Sequence, residues 1–368
     1  MNTILPIALI SALALTLSAN AHHSFSGNFD VNKSLQITGV VNKFRFVNPH
    51  VGVDLVVKNP NGTTTQWISE AGAATGFIRQ GWNKETFKVG DMVRISGNAS
   101  RDGSPMISIN TIELLNPADN TVIRTYVAGQ GAPPAANAAK PAAAVAFIPL
   151  KLADGRPNLT GAWTENYGGA GVSGPGGLLS LKFPFNAEGA ARQAKFDPAD
   201  DPQIFCEPPG LVRQAGFTPH PVRITQLADR VILEYEEYAG RREVYFKPQT
   251  PKVKGKTNLG NSVARYEGDA LIIETKDLRS NQSFINGNWL TDKMTTVETY
   301  RRVDDPKVGP ILSTQMVVTD PGYLTEPLVV RNSKVYTKDY QFTANDCRPP
   351  LRKKGTKLPP LSSGSGGY

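Results

Sequence analysis

The sequence predicts an all-β protein of two domains, and three observations carry that prediction. Short stretches in which apolar and polar residues alternate recur along the chain, separated by Gly, Pro, Asn and Asp turn signals. Only Ala71 to Gly81 reads as a short helix. An Ala/Pro/Gly tract from Gly129 to Ala146 cannot pack a core and divides the chain. With 368 residues, each side is long enough to bury a core. Its 40% hydrophobic and 20% charged residues exclude a disordered chain and a polytopic membrane protein.

Residues 1–21 carry no charged side chain, and Ile4 to Leu17 is apolar apart from Pro6, Ser11 and Thr16. The run is shorter than the ~20 residues of a membrane span. It ends in an Ala19-Asn20-Ala21 cleavage pattern, so it reads as a secretory signal peptide with a periplasmic or secreted product. In an oxidising compartment the two cysteines, Cys206 and Cys347, are expected to form a disulfide, with a thiol or metal pair as the weaker alternative. Export also removes cytosolic nucleotides and nucleic acid as partners. The net charge of +8 then reads as solubility, or as peripheral contact with an anionic envelope surface.

The first domain, 22–128, shows strands at Leu35–Val41, Gly52–Val57, Thr64–Ile68, Met92–Gly97 and Met106–Ile109, with an Asn59-Pro60-Asn61-Gly62 hairpin turn. Five strands with a helix between the third and fourth describe a small OB-like Greek-key barrel. Such barrels stack bases on exposed aromatics, but in an exported protein Phe44, Phe46 and Trp67 read as packing residues. After the linker, 129–149, the domain 150–350 shows strands at Arg223–Leu227, Val231–Tyr238, Arg241–Phe246, Val263–Tyr266, Ala270–Thr275, Met294–Arg302, Ile311–Thr319 and Leu328–Tyr336. Regular turns between them favour a lipocalin-like antiparallel β-barrel or sandwich. Gly161-Ala162-Trp163, ahead of the first of these strands, resembles the G-x-W opening of lipocalin-type barrels. The tail, 351–368, is basic and then Ser/Gly-rich, and is expected to be flexible.

Ala21-His22-His23-Ser24-Phe25, Asn48-Pro49-His50, Trp67 with Glu70, and Arg79-Gln80-Gly81-Trp82 mark the first domain. Asp154-Gly155-Arg156-Pro157-Asn158-Leu159-Thr160-Gly161-Ala162-Trp163, Cys206-Glu207-Pro208, Tyr235-Glu236 with Arg242, and Glu267-Gly268-Asp269 mark the second. This set resembles an uncharacterised family of exported bacterial proteins. The resemblance implies export and domain boundaries but no chemistry. Tyr266 stands where that pattern has Trp, and His220 where it has Tyr.

Several constellations have the residue types that chemistry needs. Cleavage after Ala21 would leave His22 at the terminus, where its amine and imidazole together chelate copper; His23 and a rim His50 could complete a copper or zinc site. Gly169 to Gly174 spells G-x-G-x-x-G but is followed by Pro175, not a helix, and Gly260-Asn261-Ser262-Val263-Ala264 only mimics a nucleophile elbow. Glu234 and Glu236 alternate with Leu233 and Tyr235, which favours solvent-facing carboxylates paired with Arg241 or Arg242. The other reading buries Glu236, Arg242, Arg265 and Glu298 as an acid/base network, with Trp163, Tyr235, Tyr245 and Tyr266 lining a ligand cavity. The favoured function is an exported binding or accessory protein holding a small ligand in the second barrel. The alternative is a lyase, isomerase or hydratase using those Glu, Arg and Tyr groups.

Overall fold

A computed structural model describes residues 25–128, 148–165, 181–216, 220–249, 254–280, 287–306 and 309–360. The signal segment with His22 and His23, linker residues 129–147 and the 169–174 glycine loop lie outside the described residues.

A four-residue helix, α1 (Phe25–Asn28), leads into a long strand, β1 (Phe29–Arg45). There follow β2 (Gly52–Lys58), β3 (Thr64–Glu70), α2 (Ala74–Arg79), β4 (Met92–Ser100), β5 (Met106–Ser108), β6 (Thr111–Leu115) and β7 (Val122–Val127). Because β1 has 17 residues, its second half can pair with β2 while its middle pairs with β4. The order β1-β2-β3-β5-β4 therefore closes on itself, with β3 and β5 parallel: an OB-like barrel with its helix between the third and fourth strands. Val41, Val53, Leu55, Phe77, Trp82, Ile95 and Ile107 fill it. Phe46 belongs to the same core, Phe44 meets Phe87 edge-on at 5.4 Å, and Trp67 packs against the cluster. At Gly97 a Cβ would sit 1.6 Å from the Ser108 carbonyl oxygen, so only glycine lets β4 approach β5. Two further strands, β6 and β7, extend the sheet, and β7 forms an exposed edge.

The second domain opens with β8 (Gly161–Glu165) and an insert containing α3 (Ala187–Gln193), single 3-10 turns at Pro198–Asp200 and Pro202–Phe205, and α4 (Leu211–Gly216). Then come β9 (Val222–Gln226), β10 (Arg230–Tyr235), β11 (Arg241–Tyr245), β12 (Asn261–Glu267), β13 (Ala270–Lys276), β14 (Thr295–Asp305), β15 (Gly309–Thr319) and β16 (Leu328–Tyr336). Strands β8 to β16 close a nine-stranded barrel, which decides between barrel and sandwich. Nine directions cannot alternate around a ring, so one neighbouring pair must be parallel. That pair is β11 and β12, where Tyr245 faces Val263. The strand beyond the eight expected is β8, which sequence alone reads as a lead-in. Its Gly161 has φ +131°, and a Cβ there would lie 2.5 Å from the Tyr336 ring.

The insert is built from caps rather than from helical periodicity. The Asn186 side chain accepts from the Gly189 amide, and Asp197 and Asp201 each cap a turn that begins with proline. Leu211 and Val212 of α4 pack on Leu278, Leu290, Met294, Met316, Val318 and Leu328, sealing one end of the barrel with a second core. Cys206 of the insert is disulfide-bonded to Cys347 in the segment after β16, Cα to Cα 5.7 Å. The small barrel docks on the same region. The Asn48 amide donates to the Ala344 carbonyl at 2.8 Å, and the Asp346 amide to the Asn48 carbonyl at 2.7 Å. The tail departs from the expectation of flexibility as far as residue 360. Arg352 lies over the Phe205 ring and donates to the Gly27 and Ala199 carbonyls, and Arg101 donates to Pro359. Residues 361–368 lie outside the described residues.

Candidate functional site

Inside the large barrel, the even-numbered residues of β11, β12 and β14 face inward. Arg242 and Glu298, 5% and 2% exposed, form a bidentate pair at 2.9 and 3.0 Å. The guanidinium also donates to the Tyr235, Ser262 and Thr275 hydroxyls, and the Tyr300 hydroxyl donates to Glu298 at 2.6 Å. Burial opposes the charge on Arg242, but Glu298 outweighs it and holds the guanidinium protonated well above its ordinary range. Burial, then Glu298, pushes the Tyr300 phenol well up. The surface reading of these residues therefore fails for Arg242 and holds for its neighbour Arg241, which is exposed and sits 3.9 Å from Glu234.

The structure brings only part of the predicted set into this interior. Arg265 has odd parity on β12 and points outward, paired with Glu267 and Glu274 on the exposed face. Tyr245 is likewise on the outer face, under the Arg230 guanidinium. Trp163 is fully buried; its indole N–H donates to the Leu159 carbonyl at 2.8 Å, and its ring meets Tyr336 edge-on. Tyr266 is half-buried, its hydroxyl accepting from Gln226 at 2.7 Å. Apart from the buried Arg242 Nε, which has no hydrogen-bond partner, these groups are hydrogen-bonded and pack within the core of Leu159, Val231, Leu233 and Ile273. Such an interior braces a barrel. Ser262 starts a strand and meets Arg242 and Thr275, so it is no nucleophile elbow.

Glu236 belongs elsewhere. Strand β10 ends at Tyr235, and the chain turns through Glu237–Ala239, so the alternation that would expose Glu236 stops one residue too early. Glu236 is 2% exposed at the junction of the two barrels, where the Asn48 side-chain amide donates to it. The other end of the Asn48 amide accepts from Ala74, and the Asn48-Pro49 peptide is cis. Nearby, the Lys334 ammonium donates to the His220 carbonyl, and His220 Nε2 lies 3.8 Å from Glu237. Burial pushes the Glu236 carboxyl up to about 7, against the opposing pull of Tyr340, the Thr343 amide, Asn48 and Lys334. Burial, with Lys334 and His50, pushes the His220 imidazole down to about 3, so it is neutral. The sequence flags Asn48-Pro49-His50, Glu236 and His220 separately. Glu237, Lys334 and Tyr340 carry no sequence signal, because the junction exists only in the fold.

His50 donates from Nδ1 to the Ala71 carbonyl at 2.7 Å and lies 3.5 Å from Glu70. That bond leaves one ring nitrogen for any metal. Among the described residues no group of three His, Cys, Asp or Glu is placed to hold a metal ion.

A cleft of about 540 Å³ opens at the capped end of the large barrel, in the size range of small-molecule sites. The insert contributes Arg192, Asp200, Pro202, Glu207, Pro208 and Pro209 to its walls. The barrel loops contribute Asn258, Arg279, Ser280 and Trp289, and Lys354 and Gly355 of the C-terminal strap complete the wall. Trp289 is 7% exposed and its ring carries the Arg192 guanidinium at 4.4 Å. None of these residues is legible as a site in sequence, since they come from six separated stretches of chain.

Two closed all-β barrels joined through a buried polar junction define the class of the protein. Residues 10–107 match a family described as a family of unknown function, DUF6152. The match spans the first barrel into β5 and leaves the large barrel outside it. No curated protein matches the chain.

Proposed function

We propose that this is an exported binding protein whose small-molecule ligand occupies the cleft at the capped end of the large barrel. The observation that carries this reading is the cleft of about 540 Å³, walled by a buried Trp289 and by arginines from separate elements. It moves the ligand from the barrel interior, where Arg242 and Glu298 are paired with each other, to the barrel mouth. The acid/base enzyme reading keeps Arg242 and Glu298 of its four residues in that interior. A copper or zinc site would rest on the His22 terminus, to which His50 could add only its Nε2 because its Nδ1 is held by Ala71.

The test is a thermal-shift screen of anionic, neutral and cationic small molecules on the full chain, in parallel with Ser280→Trp, which puts an indole into the cleft. A binder at 100 times its Kd stabilises by about 2.7 kcal/mol, a clear rise in Tm. Stabilisation that disappears in Ser280→Trp is the expected outcome. Ligands that stabilise both proteins equally, or a screen without a single binder, overturn the assignment.

A further inference from the structure

From the polar groups of this cleft we infer that its ligand is a small organic anion, carrying a carboxylate or phosphate head on an apolar body. The inference rests on the cleft being the binding site and names the ligand class.

Two guanidinium groups point to an anion. The indole Nε1 of Trp289 is sealed from solvent as well as unpartnered, so this residue gives the cleft its ring and no donor. The Arg192 guanidinium lies over the Trp289 ring, which holds it in place without neutralising it. Arg279 reaches the cleft from the loop after β13 and is exposed. Among the described residues neither arginine has a carboxylate partner.

Of the two acidic groups of the cleft, Glu207 accepts from the Lys354 ammonium at 2.5 Å, and Asp200 is exposed. An incoming anion therefore meets two guanidinium groups that have no carboxylate partner among the described residues, a pair that matches planar or tetrahedral oxyanions. Pro202, Pro208 and Pro209 form the apolar part of the wall, against which a hydrocarbon body can pack. A cation would find the single carboxylate of Asp200 against both guanidinium groups. A neutral ligand would leave both guanidinium groups without a counter-charge.

The experiment uses calorimetry and tryptophan fluorescence on the full chain with benzoate, phenyl phosphate, inorganic phosphate, benzyl alcohol and benzylamine. Benzoate or phenyl phosphate is expected to bind at least about tenfold more tightly than benzyl alcohol, which shares the ring and lacks the charge. The ratio of benzoate to phenyl phosphate tells the carboxylate head from the phosphate head. Inorganic phosphate, lacking the apolar body, is expected to bind more weakly than phenyl phosphate. Arg279→Gln and Arg192→Gln, each with a Tm near that of the parent, are expected to weaken anion binding about tenfold and to leave benzyl alcohol unchanged. Benzyl alcohol or benzylamine binding as tightly as the anions, yet lost in Ser280→Trp, overturns the ligand class and leaves the cleft standing. Anion binding that survives Ser280→Trp overturns the cleft itself. Anion binding indifferent to both Arg279→Gln and Arg192→Gln, or no binding by any compound at millimolar concentration, overturns the inference.

Discussion

Replacing Glu236 by Gln should change the pH dependence of stability in a direction that can be worked out in advance. The folded carboxyl titrates at about 7, raised from an ordinary value of 4.5 by burial between the barrels. The folded state therefore binds this proton more tightly than the unfolded one. Its contribution is complete below pH 4.5 and is lost as pH rises through 7. At about 1.4 kcal/mol per unit, the shift amounts to roughly 3 kcal/mol between pH 4 and pH 8. His220 acts with the opposite sign. Its folded imidazole titrates at about 3, so stability is lost as pH falls below the ordinary value of 6.5. Between pH 4.5 and 6.5 the two effects cancel, and the junction is flat in pH. Glu236→Gln removes one arm of that balance, since glutamine mimics the protonated carboxyl and can still accept from Asn48. Measured by urea unfolding at pH 4, 5, 6, 7 and 8, the stability of the variant relative to the parent should rise with pH by about 3 kcal/mol, most steeply between 5 and 7. Background carboxylates contribute equally to both proteins and drop out of the difference. A difference constant with pH to within about 0.5 kcal/mol would refute the reasoning, because Glu236 would then titrate as an exposed carboxylate does.

Other consequences of the fold can be checked singly. Replacing Cys206 and Cys347 together by Ser opens a loop of 141 residues and should lower stability by about 4 kcal/mol, read by denaturant midpoint under non-reducing conditions. Arg242→Met leaves Glu298 buried without its cation and should cost about 3–5 kcal/mol, whereas Arg242→Met with Glu298→Leu should be markedly less damaging. Gly97→Ala forces β4 away from the Ser108 carbonyl and should cost about 3 kcal/mol, seen as a lower Tm of the small barrel. His50→Ala should leave the copper(II) affinity of the signal-processed protein unchanged, since among the described residues no group of three His, Cys, Asp or Glu is placed to hold a metal ion; loss of affinity would restore His50 as a ligand.

How far the sequence reveals this protein follows from how local each determinant is. Period-two alternation is local, so the five strands of the small barrel and most of the large one are legible. β6 and β7 are missed because Thr111–Leu115 is short and β7 is an exposed edge with no buried face. β8 is missed because its five residues gain their hydrogen bonds only when β16 and β9 flank them. The insert is missed because its turns are set by Asp and Asn caps and prolines, without a helical stripe. Parity along a strand also separates Arg242 from Arg241 and Arg265. It fails for Glu236 because the strand ends one residue before it.

The same distinction explains why the ligand site carries no motif. A motif is readable when one short segment supplies the geometry, as a nucleophile elbow or a phosphate loop does. Here the donors come from α3 and the loop after β13, the buried indole from the segment before β14, and a further wall from a strap that lies some 150 residues from the insert it faces. The strap is held by Arg352 against Phe205 and, just upstream, by the Cys206–Cys347 bond. The disulfide is therefore a determinant of the cleft as well as of stability. In the double Cys→Ser protein, anion binding should weaken more than the loss of folded population accounts for. If affinity per folded molecule is unchanged, the strap forms no part of the site, and the cleft is closed by the insert and barrel loops alone.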